Sequence, residues 1–202
     1  MRLSKTAYHA DFAIYALILS VLIAVAALSA NWVQRAHWFA AFTAAAASWT
    51  LVEYLLHRFL LHAVEPFAAM HGVHHDSPRA YVGTPTWATL GIIWLVVFVP
   101  AWRGVSFNIA SGLTAGVMMG FLWYGIVHHV IHYRRPRLLA SWMLLTTHRH
   151  LRHHYALRPG TFGVTIPLWD YVFGTFIAED RARPTASLGD DPALARLPER
   201  LL

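Results

Sequence analysis

"GVSFNIASGLTAGVMMGFLWYGIVHHVIHYR" (Gly104–Arg134) runs from Gly104 to Tyr133 without an Asp, Glu, Lys or Arg, and its last turns carry His128, His129 and His132. About 20 apolar residues suffice to cross a bilayer core as a helix. This stretch is therefore a spanning helix with imidazoles at its end. Three further charge-free stretches lie upstream, Phe12–Gln34, Ala36–Val52 and Ala80–Trp102, in a chain that is 57% hydrophobic. The first of them lacks a small-residue cleavage site and is followed at once by another apolar span, so it is not read as a cleaved signal. The composition excludes an ordinary soluble domain.

Two hairpins of transmembrane helices are expected, roughly 12–33 with 38–61 and 84–102 with 106–132. Pro85 and Pro100 are placed at the ends of the third span, where helix boundaries tolerate proline. Basic residues give the orientation. Arg2 and Lys5 precede the first span, ten arginines follow Val127, and the connections near Arg35 and Arg103 hold one basic residue each. That asymmetry predicts both termini, and the 62–80 loop, on the cytoplasmic side. The net charge of +6 is then a topology signal and a means of attracting anionic head groups. It is not a nucleic-acid footprint, because the arginines flank the membrane instead of forming a separate basic domain. The expected organisation is one membrane domain over 1–180, with a cytoplasmic cap over 134–179 and a polar tail over 181–202. The fold class is all-α.

Cysteine is absent, which removes disulfides, thiolate zinc sites and iron–sulfur ligation. Histidine is abundant, with 14 residues in 202. His57 and His62 form H-x4-H, His71, His74 and His75 form H-x2-HH, His128 and His132 form H-x3-H, and His150, His153 and His154 form a second H-x2-HH. On the topology above, all four groups lie at one depth on one side of the membrane.

Residues three and four apart share a helix face, so each H-x2-HH is expected to present three imidazoles toward one point. His57 and His62 are five apart, about 140° around an ideal helix. They require two metals or a helix that ends between them. Ten imidazoles exceed the needs of one ion and suit two ions with five each. Nitrogen ligation without thiolate suits several transition metals, and at a membrane surface it points to iron doing oxygen chemistry. A pH sensor uses histidines too but has no need of two H-x2-HH copies. His9 and His37 read as interfacial residues, and His129 and His148 as residues behind the ligands or at the surface.

The array "HRFLLH", "HGVHH", "HHVIH", "HRHLRHH", flanked by "WTLVEYLLHRFLLH" (Trp49–His62) and "FGVTIPLWDYVFGTF" (Phe162–Phe176), resembles the membrane fatty acid hydroxylase/sterol desaturase superfamily. The resemblance covers Trp49 to Phe176. It implies a four-helix membrane domain with a cytoplasmic helical cap. It also implies a dinuclear centre held by His57, His62, His71, His74, His75, His128, His132, His150, His153 and His154. The metal implied is iron, with zinc possible in purified protein, and O2 is the co-substrate. The implied chemistry is hydroxylation or desaturation of a lipid C–H bond, with a fatty acyl chain expected from "FGVTIPLWDYVFGT". Carotenoid and sterol or hopanoid hydroxylase-desaturases of the same superfamily are the alternatives. No cytochrome b5 module is seen in the chain, so a separate ferredoxin or cytochrome is expected to deliver electrons, docking on the arginines.

Glu53 lies one helical turn before His57, and an ionisable residue inside a span is expensive. It is expected to orient His57 or another ligand through the second ring nitrogen, against pairing with Arg58 or a head group. Asp170 is expected to hold a ligand or an arginine, or to act as a capping or loop residue. Gly160, Gly163 and Gly174 read as turn residues, and the nine tryptophans mostly as interface anchors. A non-catalytic metal-binding protein or a metal transporter is the reading from another class. Transport wants ionisable ligands along a path through the bilayer, whereas these histidines gather at one end.

Overall fold

Two polar side chains set the first hairpin. Ser4 Oγ accepts from Ala7 N at 3.1 Å and begins α1 (Lys5–Ala27). Asn31 Oδ1 accepts from Val33 N and Gln34 N at 3.0 and 3.2 Å and begins α2 (Trp32–Leu55). The computed structural model describes residues 2–134, 140–156 and 158–177. Every regular element among them is helical. α3 is Phe67–Asp76, α4 Thr86–Ile93, α5 Val99–Gly104, α6 Phe107–Tyr133, α7 Ser141–Tyr155 and α8 Leu168–Val172. π-helical turns at Leu56–Leu61 and Trp94–Phe98 continue α2 and join α4 to α5.

Four helices are long and apolar enough to cross a membrane: Lys5–Ala27, Trp32–Leu61, Thr86–Gly104 and Phe107–Tyr133. The first two start earlier than the charge-free runs suggest. Their caps draw Lys5 and Arg35 into the helix ends, where charged heads reach the interface. Pro100 differs from expectation as well. It lies inside the third span, which continues to Gly104. Proline removes one N–H and crowds the carbonyl four residues back, and the preceding π-turn absorbs that fault, as wide turns in membrane helices do. The expected tail over 181–202 lies outside the described residues, as do parts of the expected cap.

α2 and α6 run parallel and in close contact. Gly112, Gly116 and Gly120 repeat every four residues along α6 and meet α2 in ascending order. A Cβ at Gly112 would lie 2.6 Å from Trp38 O, one at Gly116 2.3 Å from Phe42 O, and one at Gly120 2.2 Å from the Trp49 ring. Small residues let membrane helices approach in this way. Trp38 and Trp49 are buried in this seam, unlike the exposed Trp32, Trp87, Trp94 and Trp102, which suit interface or lipid contact. The register has a consequence for function. Eight residues beyond the Trp49–Gly120 contact, about 12 Å of helix, the two chains reach His57 and His128 at the same end.

Two contacts close that end from the N-terminal side. Leu3 N donates to Tyr81 O at 2.7 Å, and Arg2 bridges Val82. The second span and α6 both arrive there, α3 and α7 lie across it, and α4 leaves from it.

Candidate metal centre

Two helical segments outside the spans, α3 and α7, bring six imidazoles to the four delivered by the ends of α2 and α6. The ten form two groups of five. His57, His62, His71, His75 and His153 make one group, and His74, His128, His132, His150 and His154 make the other. Within each group the candidate ligand nitrogens all lie within 4.8 Å of one another. Rings from the two groups touch, with His75 and His154 stacked at 4.3 Å between centroids.

The division differs from the expected triplets. Each H-x2-HH is split: His71 and His75 face one group and His74 the other, while His150 and His154 face one group and His153 the other. Residues four apart stay on one face, and their neighbours, about 100° around the helix, address the second. His57 and His62 serve one group, so they do not need two metals; the π-turn that carries His57 ends at Leu61, with His62 as its cap residue. The π-turn at Leu56–Leu61 replaces i→i+4 by i→i+5 spacing and brings residues five apart together, with ring centroids 5.2 Å apart.

The nitrogen spacings fit a cation. His57 and His75 Nε2 each lie 3.0 Å from His71 Nε2, and His153 Nε2 is 3.2 Å from His62 Nε2 and 3.1 Å from His75 Nε2. In the second group, the Nε2 pairs His128–His74, His132–His150 and His154–His150 are each 3.0 Å apart. Two nitrogens each about 2.1 Å from one ion and at right angles are separated by about 3.0 Å. Protons alone do not explain the packing, since one proton joins one pair and five lone pairs converge. Burial holds the imidazoles outside the spans neutral, as ligands must be. Desolvation lowers His62, His71, His150, His153 and His154 below the ordinary 6.5 and pushes His74 and His75 down to about 4.

Two ring orientations are set by backbone. Carbonyls only accept, so His57 Nδ1–H donates to Phe162 O at 2.6 Å and His153 Nδ1–H donates to Gly160 O at 2.8 Å. This leaves both Nε2 lone pairs for a metal. Among the described residues Glu53 takes its hydrogen bonds from the 164–165 loop and not from a histidine, contrary to expectation. Its Oε1 accepts from Val164 N and Thr165 N at 2.7 and 2.8 Å, and its Oε2 accepts from Thr165 Oγ1 at 2.5 Å. Asp170 hydrogen-bonds the same loop, the loop role being one of its expected alternatives, and its charge also acts on Arg149. It accepts from Phe162 N, Gly163 N and Thr175 Oγ1 at 2.7–2.8 Å. Between the two carbonyls Thr161 has φ 53°, a left-handed conformation rare for a β-branched residue. A Cβ at Gly163 would fall 2.2 Å from Ile166 O. Gly174, at φ 66°, is a turn residue as expected.

His129 and His148 belong to neither group. His129 Nδ1 pairs with Tyr8 Oη at 3.2 Å and its ring stacks on Tyr133, while Arg152 donates to His148 Nε2 at 3.3 Å. Gly160, expected only as a turn residue, and Phe162 act through carbonyls, and Thr165 and Thr175 act through hydroxyls. The positions of a turn and two buried acids around "GTFGVT" were the available signal.

The family profile described as fatty acid hydroxylase matches residues 42–175, a range that holds all ten clustered histidines and both acids. The chain belongs to the fatty acid hydroxylase family. Similar proteins include the fatty acid 2-hydroxylase of Rattus norvegicus, 33% identical over an alignment of 145 residues that covers 65% of this chain and 38% of that one. The dihydroceramide fatty acyl 2-hydroxylase FAH2 of Arabidopsis thaliana is 33% identical over an alignment of 142 residues that covers 63% of this chain and 56% of that protein. This chain therefore spans less than two thirds of the length of either. The solved structure of full-length scs7p, with only its hydroxylase domain visible, superposes with a TM-score of 0.72. It is 26% identical, with 85% of this chain and 67% of that one covered. This member of the fatty acid hydroxylase family is an integral membrane protein with two histidine clusters suited to metal.

Proposed function

We propose that this protein is a membrane-bound, O2-dependent hydroxylase of a lipid acyl chain, with one iron ion in each five-histidine group. The observation that carries the proposal is the pair of adjacent five-imidazole groups at the membrane end of four spans. Hydroxylation of an unactivated C–H bond by O2 needs a redox-active metal, which zinc is not. A metal pair supplies oxygen activation when bound. The balance is R–H + O2 + 2e⁻ + 2H⁺ → R–OH + H2O, so two electrons come from a separate carrier of ferredoxin or cytochrome type.

The chain's own residues do the rest. The ten histidines converge, and burial keeps those outside the spans neutral. Phe162 O and Gly160 O fix two of their rings, and the Gly-packed α2–α6 seam holds the two histidine-bearing helix ends in register. Burial keeps bulk water from the nitrogens. Arg2, Lys5, Arg79, Arg149 and Arg152 lie toward the histidine end, which supports placing that end and the N-terminus on the cytoplasmic side. The exposed Arg2, Lys5 and Arg79 also offer basic charge to an acidic electron carrier. The relatives are named as 2-hydroxylases of fatty acids or of dihydroceramide acyl chains, which makes the carbon beside the acyl carbonyl the first position to test. Cells expressing the protein under 18O2 should accumulate 2-hydroxy acyl lipids carrying one heavy oxygen. Absence of any labelled hydroxylipid, with two metals bound and reductant supplied, would overturn the proposal.

A further inference from the structure

We infer that the two groups hold their ions unequally, the tighter ion lying among His57, His62, His71, His75 and His153, and that Glu53 is the positioning residue responsible, acting through the 160–165 backbone. This rests on the reading of both groups as metal sites.

The difference lies behind the metal-facing nitrogens. In the first group, His57 and His153 each lean through Nδ1–H on a carbonyl of one short segment. Two buried carboxylates hold that segment, Glu53 through Val164 and Thr165, and Asp170 through Phe162 and Gly163. Thr161 N adds a bond to Thr175 O at 2.8 Å. With Thr161 in a left-handed conformation and no room for a side chain at Gly163, neither carbonyl swings independently. Glu53 also stands on α2 one turn before His57. The helix that presents the ligand therefore anchors the loop that orients it.

In the second group, His150 Nδ1 and His154 Nδ1 are buried with no hydrogen-bond partner among the described residues. A neutral imidazole bound through Nε2 carries its proton on Nδ1, so these rings keep an unpaired buried N–H and lack that orienting bond. Hydrogen-bond partners behind metal ligands change metal affinity by about 10–100-fold.

The test is chelator-driven release from purified full-length protein loaded with two equivalents of zinc. Wild type should release its zinc in two phases of one ion each. His154→Ala, which leaves the first group whole, should retain the slow phase. Glu53→Gln should speed the slow phase about tenfold or more while moving the fast one less than about twofold. Thr165→Val, which keeps the carboxylate and removes one donor, should act on the same phase and decides the matter if Glu53→Gln does not fold. Release of both ions in one phase would overturn the inference, as would equal acceleration of both phases, the mark of a merely loosened fold. Uptake of fewer than two zinc ions would instead defeat the reading of two metal sites.

Discussion

The Nε2 atoms of His57 and His71 face each other across 3.0 Å in the protein interior. His57 carries its proton on the other nitrogen, where it donates to the Phe162 carbonyl. A bare lone pair aimed at the shared focus of five imidazoles is the geometry of a ligand.

His71→Ala and His154→Ala each remove one ligand from a different group. Each variant should drop from about two bound metal ions to about one, and hydroxylation should fall below detection, since dinuclear oxygen activation needs both ions. Elemental analysis and labelled-lipid assays on the same preparations check this. Full metal content in either variant would contradict the grouping.

His129→Ala and His148→Ala are the matching controls. Both residues lie outside the groups, so both variants should keep about two metals and most of the activity. Loss of one metal equivalent in either would show that its ring belongs to the centre.

Gly116→Leu attacks the helix seam, not the site. Its Cβ alone would meet Phe42 O at 2.3 Å, and overpacking of this kind costs about 1–3 kcal/mol. The variant should melt earlier in detergent and lose metal from both groups together, because His57 and His128 drift apart. An unchanged melting temperature would argue against a tight α2–α6 interface.

The metal-free protein should lose stability on acidification. Burial pushes His74 and His75 from 6.5 down to about 4. The unfolded chain takes up these protons below about pH 6.5, while the folded chain takes them up only near pH 4. Stability present at neutral pH is therefore lost progressively between those values. The melting temperature of chelated protein should fall from pH 7 to pH 5, and metal loading should delay the fall, since protons then compete with the ion. A flat profile for the chelated protein would contradict neutral, buried imidazoles.

Much of this was legible from residue types and spacing. Charge-free runs located four spans, and the H-x4-H, H-x2-HH and H-x3-H patterns selected the ten histidines that converge. Their division was not legible. It depends on neighbours such as His74 and His75 pointing about 100° apart, and on a π-turn at Leu56–Leu61 that local propensity does not announce. The partners of Glu53 have no local signature either. A position one turn from His57 suggested direct contact, whereas its partners are the backbone of Val164 and Thr165, 111 and 112 residues away in the chain. Backbone acceptors such as Phe162 O have no signature in residue identity.

The most direct test of the central claim is the metal content of protein expressed with ample iron, measured against accurately determined protein mass. Two five-histidine groups predict about two metal ions per chain, predominantly iron. One ion or fewer per chain in folded protein would contradict the account.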